Sequence, residues 1–431
     1  MSNLNIMKMF CIGLAISCGN SNIEEGDSVV WQGSHTQTML LGAEDNSEVV
    51  KAIPNSDLAV LIASKTRKLT LLSVADGELA VIEELVLFPN DSSESELTHI
   101  DFSSNGSYAV ITRTLPTTDG GEQVSCEGEL VFVSTDLDSF GEVLSQVEVG
   151  PMPDAVDISP DGLWVVSADE VDYNDGKCTV ASTTPSISIL TLENGPSSPA
   201  LLSTIEMVSD DGENLREPEQ IVFSSNSNQV VATLQDTHEI ISFKVSDVLA
   251  LGESVVYSTD PVVSIIDLPL RSDGAEPWPD GIAHFTSPDG LDWFVVAGEY
   301  NDTLHLLDGL GVPTFQYEID PSEMPSDLPR NIESWSLAPF RPDSVTTFTM
   351  DIAPDSVFVG ASLKHSGAVG VWDVSSPSEL ALQGVVSVGF NDEGTPVTES
   401  TIGTEGIASF QGGMLITANE EESSVSVVAP F

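Results

Sequence analysis

The sequence predicts an all-β fold, a seven-bladed β-propeller of four-stranded blades closed by a strand from near the N-terminus. Two observations carry this prediction. The apolar residues, rich in Val, Ile, Leu and Phe, come in short runs, and a pattern of four runs returns about every 55 to 65 residues. No run approaches the roughly 20 apolar residues of a membrane-spanning helix. Four strands per unit at this period is typical of propeller blades.

The repeating unit has a fixed order of strands. Its first strand often begins with Pro and an acidic residue and ends in a turn such as Ser-Pro-Asp-Gly, and its second strand is almost entirely apolar. Blade three shows this order as PDAVDISPDG, LWVVSADE, ISILTL and ALLSTIEM. Runs bounded by Gly, Pro, Asn, Asp and Ser are typical of strands. Blades one and six, whose first strands we assign to VVKAIPNS and VTTFTMDIAPD, lack the Pro-acidic start.

The seventh unit contains only three runs, TEGIASFQGG, MLITANE and SVSVVAP, whereas residues 35–41 form a run that belongs to no unit. Pairing this run with the C-terminal strands would complete blade seven and cover two sheet edges that otherwise promote aggregation. We therefore expect residues 35–431 to form the propeller, and deletion of residues 35–41 to prevent folding.

The N-terminus resembles a bacterial lipoprotein signal peptide. Lys8 precedes a short apolar core, and Ser17 is a small residue directly before Cys18. In lipoproteins of this kind the Cys is lipidated, although most carry Leu where this chain has Ala15. The pattern favours lipidation of Cys18 over plain cleavage, with residues 1–17 as signal peptide and residues 18–34 as a flexible tether. The expected location is the bacterial cell envelope, at the outer membrane or cell surface, with membrane contact only through the lipid.

Two further cysteines, Cys126 and Cys178, fall between the second and third strands of the neighbouring blades two and three. In an exported chain a disulfide persists, and a bridge here would join two long adjacent loops and lower the cost of ordering them. The alternative is two unpaired thiols in those loops. The repeat alignment favours the disulfide.

Carboxylates gather on one face of the predicted ring. The first strand of a blade leaves the entry face and the second returns to it, so the start of the one and the end of the other lie on the same face. Acidic residues occupy these positions in blades three, four, five and seven. The set comprises Asp154, Glu219, Asp280 and Glu405 at the starts, and Asp169, Glu170, Asp236, Glu299 and Glu420 after the second strands. One interpretation is solvated loop residues; the other is a site for a divalent cation such as Ca²⁺, or a surface for cationic ligands.

The charge balance excludes one class of partner and leaves others open. The chain has 13 Lys+Arg against 68 Asp+Glu, a net charge of −55. Nucleic acid requires a basic surface and is excluded as a partner. The charge agrees with solubility in salty surroundings, with cation binding, or with both.

Other candidate chemistry is sparse. The six histidines show no metal-ligand spacing; His99 and His284 fall in first strands near the channel, where a hydrogen-bonded structural role is the expectation and a place in a metal or acid–base site is the alternative. Trp278, in EPWPDG, lies in a loop of the entry face and is expected to pack there, with stacking on a ligand as the alternative.

Several repeats resemble the choice-of-anchor I family of surface proteins, which belongs to the broad YVTN/WD-like propellers. The segments that carry the resemblance are REPEQIVFSSNSNQVVATLQDTHEIISFKV, PDAVDISPDGLWVVSADE, PDGIAHFTSPDGLDWFVVAGEYND and TEGIASFQGGMLITANEEESSVSVV. The resemblance implies a propeller displayed at a surface and brings no catalytic residues with it.

Two functions follow from these observations. The first is a non-enzymatic cell-surface or periplasmic propeller, a monomer, that binds a ligand or partner protein and holds a divalent cation on its acidic face. The alternative is a metal-dependent propeller hydrolase of the phytase-like or lactonase-like kind, in which a carboxylate-bound cation polarises a phosphate or lactone. The scarcity of basic residues argues against a phosphate substrate. Fold alone does not decide between them.

Overall fold

The computed structural model describes 15 stretches of the chain. They are residues 31–41, 47–75, 77–92, 94–119, 122–171, 178, 183–208, 216–252, 254–256, 262–326, 328, 338–376, 379–388, 403–420 and 423–430. The predicted signal peptide, the lipidation site Cys18 and most of the predicted tether lie outside the described residues. Within the described stretches no helix is long and apolar enough to cross a membrane.

Seven antiparallel sheets form the blades. Blade 7 contains β1 (Gly33–Leu40), and blade 1 contains β2 (Ser47–Ala52), β3 (Leu58–Ala63), β4 (Lys68–Ala75) and β5 (Glu78–Val86). Blade 2 contains β6 (Glu96–Phe102), β7 (Tyr108–Asp119), β8 (Glu122–Ser134) and β9 (Val143–Val149). Blade 3 contains β10 (Pro153–Ile158), β11 (Trp164–Asp169), β12 (Ser186–Thr191) and β13 (Ala200–Glu206).

The remaining blades follow the same order. Blade 4 contains β14 (Pro218–Phe223), β15 (Gln229–Leu234), β16 (Glu239–Lys244) and β18 (Val263–Asp267); helix α1 (Val245–Leu249) and β17 (Ser254–Val256) lie between β16 and β18 in the chain. Blade 5 contains β19 (Pro279–Thr286), β20 (Asp292–Gly298), β21 (Thr303–Asp308) and β22 (Pro313–Glu318). Blade 6 contains β23 (Pro342–Met350), β24 (Ala353–Leu363), β25 (Ala368–Asp373) and β26 (Ala381–Ser387). Blade 7 is completed by β27 (Thr404–Ser409), β28 (Leu415–Asn419) and β29 (Ser424–Pro430), and 3-10 turns occupy Leu137–Ser139, Glu299–Asn301 and Lys364–Ser366.

The ring closes through the first strands. Each of β2, β6, β10, β14, β19, β23 and β27 contacts the first strand of both neighbouring blades, so the seven line a central channel. The second strands are buried on both faces, as in β15, where every residue is buried. Their apolar side chains pack between blades; Val166 of blade 3, for example, lies in one cluster with Phe223 of blade 4. The sequence prediction of a seven-bladed propeller is confirmed.

The predicted closure is also confirmed, with one difference. β1 pairs antiparallel with β29 as the fourth strand of blade 7, but it begins at Gly33, two residues before the predicted start. Trp31, just ahead of it, is 1% exposed. β1 also joins blade 7 to blade 1, because the Thr36 hydroxyl donates to the Gly77 carbonyl (3.0 Å) and the Leu79 amide donates to Gln37 Oε1 (2.8 Å).

Blades 2 and 3 depart from the predicted strand limits. The long loop expected around Cys126 is instead an extension of the β7–β8 hairpin, in which Cys126 pairs with Pro116. Cys126 forms a disulfide with Cys178, with a Cα–Cα separation of 5.9 Å. Both sulfurs lie in a small buried cluster with Met152 and Val171. Blade 3 gains a fifth strand that the repeat did not predict, since β17 pairs in parallel with β13.

Candidate functional site: the carboxylate ring of the channel

A carboxylate stands at the second residue of the first strand in six of the seven blades. We call this set the carboxylate ring: Glu48, Asp154, Glu219, Asp280, Asp343 and Glu405. The pairing of first and second strands is irregular at this position in every blade. A bulge of this kind frees a residue from the ladder and redirects its side chain. In blade 2, where the irregularity follows Leu97, the equivalent residue is Thr98, the third residue of β6, whose hydroxyl donates to the Pro153 carbonyl of blade 3 (2.6 Å).

A backbone hydrogen bond that recurs in three blades fixes the chain around the ring. Met152, Trp278 and Arg341, each immediately before a strand-opening proline, have left-handed φ values of 46°, 46° and 54°. Their carbonyls accept hydrogen bonds from the amides of Glu170 (3.3 Å), Glu299 (3.0 Å) and Lys364 (3.0 Å), which directly follow the second strands. Positive φ is costly for side chains of this size. In blades 3, 5 and 6 the end of the second strand is thereby held beside the ring.

Four of the predicted candidates, Asp154, Glu219, Asp280 and Glu405, lie in the ring. Glu170, Glu299 and Glu420 follow their second strands on the same face. Two ring members were missed. The expectation that blade six lacks the Pro-acidic start was wrong, because Pro342 and Asp343 open β23 three residues before the predicted start. Glu48 was missed because Ser47, not Pro, precedes it.

Asp169 points away from the ring. It is fully buried and accepts hydrogen bonds from the hydroxyls of Ser167 (2.8 Å), Ser186 (2.9 Å) and Ser188 (2.7 Å). Burial raises the pKa of Asp169 to about 7, against these hydrogen bonds, which lower it. Adjacent strand residues face opposite sides, so Glu170 takes the ring side and Asp169 takes the interior. Asp236 is half-buried after β15, where the preceding Gln235 is the residue that bonds Glu299 (3.1 Å).

Two cations lie among the carboxylates of blades 5, 6 and 7. Arg341 Nε donates to Glu299 Oε1 (2.6 Å), and its guanidinium also contacts the Tyr300 ring, 4.4 Å from the centroid. Lys364 Nζ lies 3.4 Å from Asp343 Oδ2 and forms an ion pair with Glu405. Burial would lower the pKa of Lys364, but Asp343, Glu405 and Glu299 outweigh burial and raise it. Lys364 is therefore charged and held between two blades.

Several carboxyl groups in the ring, and Glu299 beside it, have raised pKa values. Burial, reinforced by neighbouring carboxylates, raises the pKa of Glu299 and Glu405 to about 7 against the opposing charges of Arg341 and Lys364. Burial also raises the pKa of Glu48 to about 7. The pKa of Asp280 rises well above its ordinary value, first through burial and then through Asp343 and Glu299. Near neutral pH the ring is partly protonated, and a bound cation would replace those protons.

A compact group within this region has the composition of a metal site. Ligand oxygens of Asp280, Glu299 and Asp343 lie within 4.8 Å of one another. Calcium binds carboxylate oxygens at about 2.3–2.6 Å, so two oxygens on opposite sides of the ion stand roughly 4.6–5.2 Å apart. Magnesium requires closer oxygens, at about 2.0–2.1 Å from the ion. Separations within 4.8 Å are compatible with either ion, and the all-oxygen donor set is the one that both of these hard cations prefer.

The opposite arc of the ring differs. Glu219 of blade 4 shares a hydrogen bond with Glu170 of blade 3, and its pKa rises well above its ordinary value through burial and then through Glu170 and Asp154. Asp154 accepts a long hydrogen bond from Gln220 Nε2 (3.5 Å). A hydrogen bond between two carboxyl groups requires a proton on one of them, whereas Arg341 and Lys364 supply positive charge to the other arc.

The aromatic residue singled out from the sequence packs within the entry face. Trp278 contacts the rings of His238 (4.7 Å) and Tyr300 (5.3 Å) edge-on. His99 is buried, and its Nδ1 accepts the Val156 amide (3.3 Å). These contacts fit the structural roles expected for both residues.

Comparisons with known proteins agree with the fold. The chain superposes on a streptogramin B lyase with a TM-score of 0.54 at 12% identity, covering 93% of this chain and 98% of the lyase. A catalytically inactive virginiamycin B lyase from Staphylococcus aureus with quinupristin gives 0.52 at 13%, covering 93% and 99%. A β-propeller domain from Myceliophteria thermophila gives 0.56 at 9%, covering 92% and 99%. At these identities the similarity shows the propeller fold alone.

The comparisons by sequence match a smaller part of the chain than the comparisons by structure. No curated protein matches the chain. A family model does match over blades 1 to 3, and it fits a propeller of the cell surface. Residues 48–214 match the model of the choice-of-anchor I domain, which confirms the resemblance over that part of the chain.

Proposed function

We propose that the protein is a non-catalytic, surface-displayed propeller that binds its ligand at the carboxylate ring, with a calcium ion held by Asp280, Glu299 and Asp343. The observation that carries the proposal is the convergence of these three carboxylates from two adjacent blades to within 4.8 Å. Rigid propellers are well suited to presenting such a site, because each ligand comes from a strand end rather than from a free loop.

The surrounding charges support one cation in this position. Both oxygens of Glu299 are already oriented, one by Arg341 and the other by Gln235. Lys364 fixes Asp343 from the blade 7 side. A cation reaching these oxygens would meet carboxylates that are already positioned, and it would relieve the repulsion from Asp343 that adds to burial in raising the pKa values of Asp280 and Glu299.

The test is calcium binding by the purified full chain at pH 7.5. We expect one calcium per chain by isothermal titration calorimetry, a higher Tm with calcium than with chelator, and proton release on binding. Asp280→Asn should weaken binding at least about tenfold, because it removes a charged ligand. The matched control is Asp138→Asn, an exposed carboxylate on a 3-10 turn, which should leave binding unchanged.

A paired variant on the other arc locates the ion. Asp154→Asn with Glu219→Gln should leave the calcium stoichiometry at one if the ion lies between blades 5 and 6. Loss of binding in this variant and not in Asp280→Asn would move the site to blades 3 and 4. Identical melting with calcium and with chelator would refute the cation site. Chelator-sensitive turnover of phosphate esters or lactones would instead favour the hydrolase alternative.

A further inference from the structure

A second site lies at the other end of the same first strands. A cavity of about 300 Å³ is lined by residues of every first strand except that of blade 2. We call it the far cavity. It lies roughly 10 Å beyond the carboxylate ring, since three residues of a strand span about that distance. Its size is at the lower limit of small-molecule sites, which begin at about 300 Å³.

The walls of the far cavity combine apolar side chains with polar groups, and polar surface is the larger share. Ile158, Phe223, Ile282 and Ile407 supply apolar surface. On the side of blades 6 and 7 the hydroxyls of Thr346 and Ser409 are 3.0 Å apart. The Thr347 hydroxyl is committed to the His284 carbonyl (2.8 Å). A small ligand with an apolar portion would contact both apolar side chains and hydroxyl groups.

Lys51 of β2 brings a positive charge into this cavity. Within the described residues its ammonium makes no hydrogen bond or ion pair. The other channel lysine, Lys364, is bound by two carboxylates. An ammonium has three donors, and in a chain of net charge −55 an unpaired lysine inside a cavity is an unusual arrangement. It offers its donors to whatever enters.

A shared negative charge stands next to Lys51. Asp101 of β6 and Asp157 of β10 are hydrogen-bonded to each other and titrate together; burial raises both pKa values, and Lys51 lowers both. Asp157 lines the cavity. Backbone amides of the next blade hold the two carboxyls, with Ile158 N on Asp101 Oδ2 (2.9 Å) and Phe223 N on Asp157 Oδ2 (2.6 Å). When the pair shares one proton it carries about one negative charge.

One wall therefore presents a positive and a negative group side by side. A net anion would be opposed by the Asp pair and by the acidic protein, and a net cation by Lys51. A molecule carrying both charges satisfies both groups. We propose that the far cavity binds a small zwitterion, an amino acid or a betaine, with its carboxylate on Lys51 and its cationic nitrogen toward the Asp101–Asp157 pair. This site is separate from the calcium site, and neither requires the other.

The test uses the full chain with L-valine and glycine betaine as probes, and acetate and tetramethylammonium as single-charge comparators. Saturation-transfer NMR and calorimetry should show binding of at least one zwitterion. Each comparator should bind at least about tenfold more weakly, because it leaves one buried charge without a partner. Absence of saturation transfer from both zwitterions would overturn the proposal, as would equal binding of acetate.

Variants connect the binding to the named residues. Lys51→Met and Asp157→Asn should each weaken zwitterion binding at least about tenfold, whereas Lys51→Arg should retain most of it. The control is Lys65→Met, an exposed lysine of the same blade, which should change nothing. An unchanged circular dichroism spectrum and cooperative thermal unfolding of Lys51→Met show that the variant is folded. Unchanged zwitterion affinity in folded Lys51→Met would refute the site.

Discussion

The two ends of the channel are built from the same seven strands but carry different side chains. At the strand starts, six blades place a carboxylate and two cations lie among them. Three residues further on, the corresponding side chains vary between basic, acidic, apolar and hydroxyl; they are Lys51, Asp101, Asp157, Val222, Ala283, Thr346 and Ala408. The repeat thus preserves chemistry at one level of the channel and varies it at the next. The preserved level suits an ion, which needs several like ligands, and the varied level suits a molecule with distinct parts.

Substitution of the two channel lysines is the strongest test of the difference between the ring and the far cavity. Substitution of Lys364 should give the larger loss of stability. Lys364→Met leaves Asp343 and Glu405 facing each other in a poorly solvated position, so we expect a loss of about 3 kcal/mol in the free energy of unfolding at pH 8. The loss should shrink at pH 5, where the two carboxyls take up protons. Urea unfolding at both pH values measures it, with Lys364→Arg as the charge-preserving control. Equal losses at both pH values would contradict this account of the ring.

A second prediction concerns pH. The folded-state pKa values of Glu48, Glu299, Glu405 and Asp169 are raised to about 7, so the folded chain binds protons that the unfolded chain has released. This stability is fully present below about pH 4 and is lost as pH rises through 7. We expect a loss of about 3 kcal/mol or more between pH 5 and pH 8 in chelator, since one pKa unit corresponds to about 1.4 kcal/mol.

The origin of that slope can be separated from the general charge of the chain. Glu299→Gln with Glu405→Gln should flatten the profile, and the exposed Asp138→Asn should not. The lowered pKa of Asp273, about 2, affects stability only at more acidic pH. Calcium at pH 8 should recover part of the loss, because it substitutes for the protons. A profile that stays steep in the double variant would assign it to the protein's overall charge instead.

The smallest expected effect is that of Lys51→Met on stability. Within the described residues Lys51 makes no hydrogen bond or ion pair, so the change removes only its attraction to the Asp101–Asp157 pair, and the free energy of unfolding should fall by less than it does in Lys364→Met. Its matched comparison is Lys364→Met, measured in the same urea series. A loss as large as that of Lys364→Met would mean that Lys51 has a structural partner, and that the two ends of the channel are more alike than their contacts indicate.

The fold was predictable because each blade repeats the same apolar runs, and the closing strand because one run had no blade. The carboxylate ring was predicted in part. Asp343 carries the same Pro-Asp start as Asp154, but our strand limit began three residues too late. The opposite directions of Asp169 and Glu170 follow from strand alternation, a rule available from sequence. The positions of Lys364 and Lys51 were not available, because a lysine's partners depend on which blades meet across the ring.

The closure of blade 7 also determines how the molecule bears tension. β1 is bonded to β29 from Gly33 to Leu40, and ladder hydrogen bonds run perpendicular to the strands. A pull along the axis of β1 loads them together in shear, whereas a pull across the strand breaks them one at a time. Trp31, just ahead of β1, is buried and packs beside Gly384 of blade 6. Its indole ring lies 3.5 Å from the position that a Cβ on residue 384 would occupy. We infer that a propeller held by its N-terminal side resists pulling along β1 at the β1–β29 pair, where the two ends of the propeller meet. Force spectroscopy that compares loading along β1 with loading across it tests this inference. Trp31→Ala should lower the unfolding force.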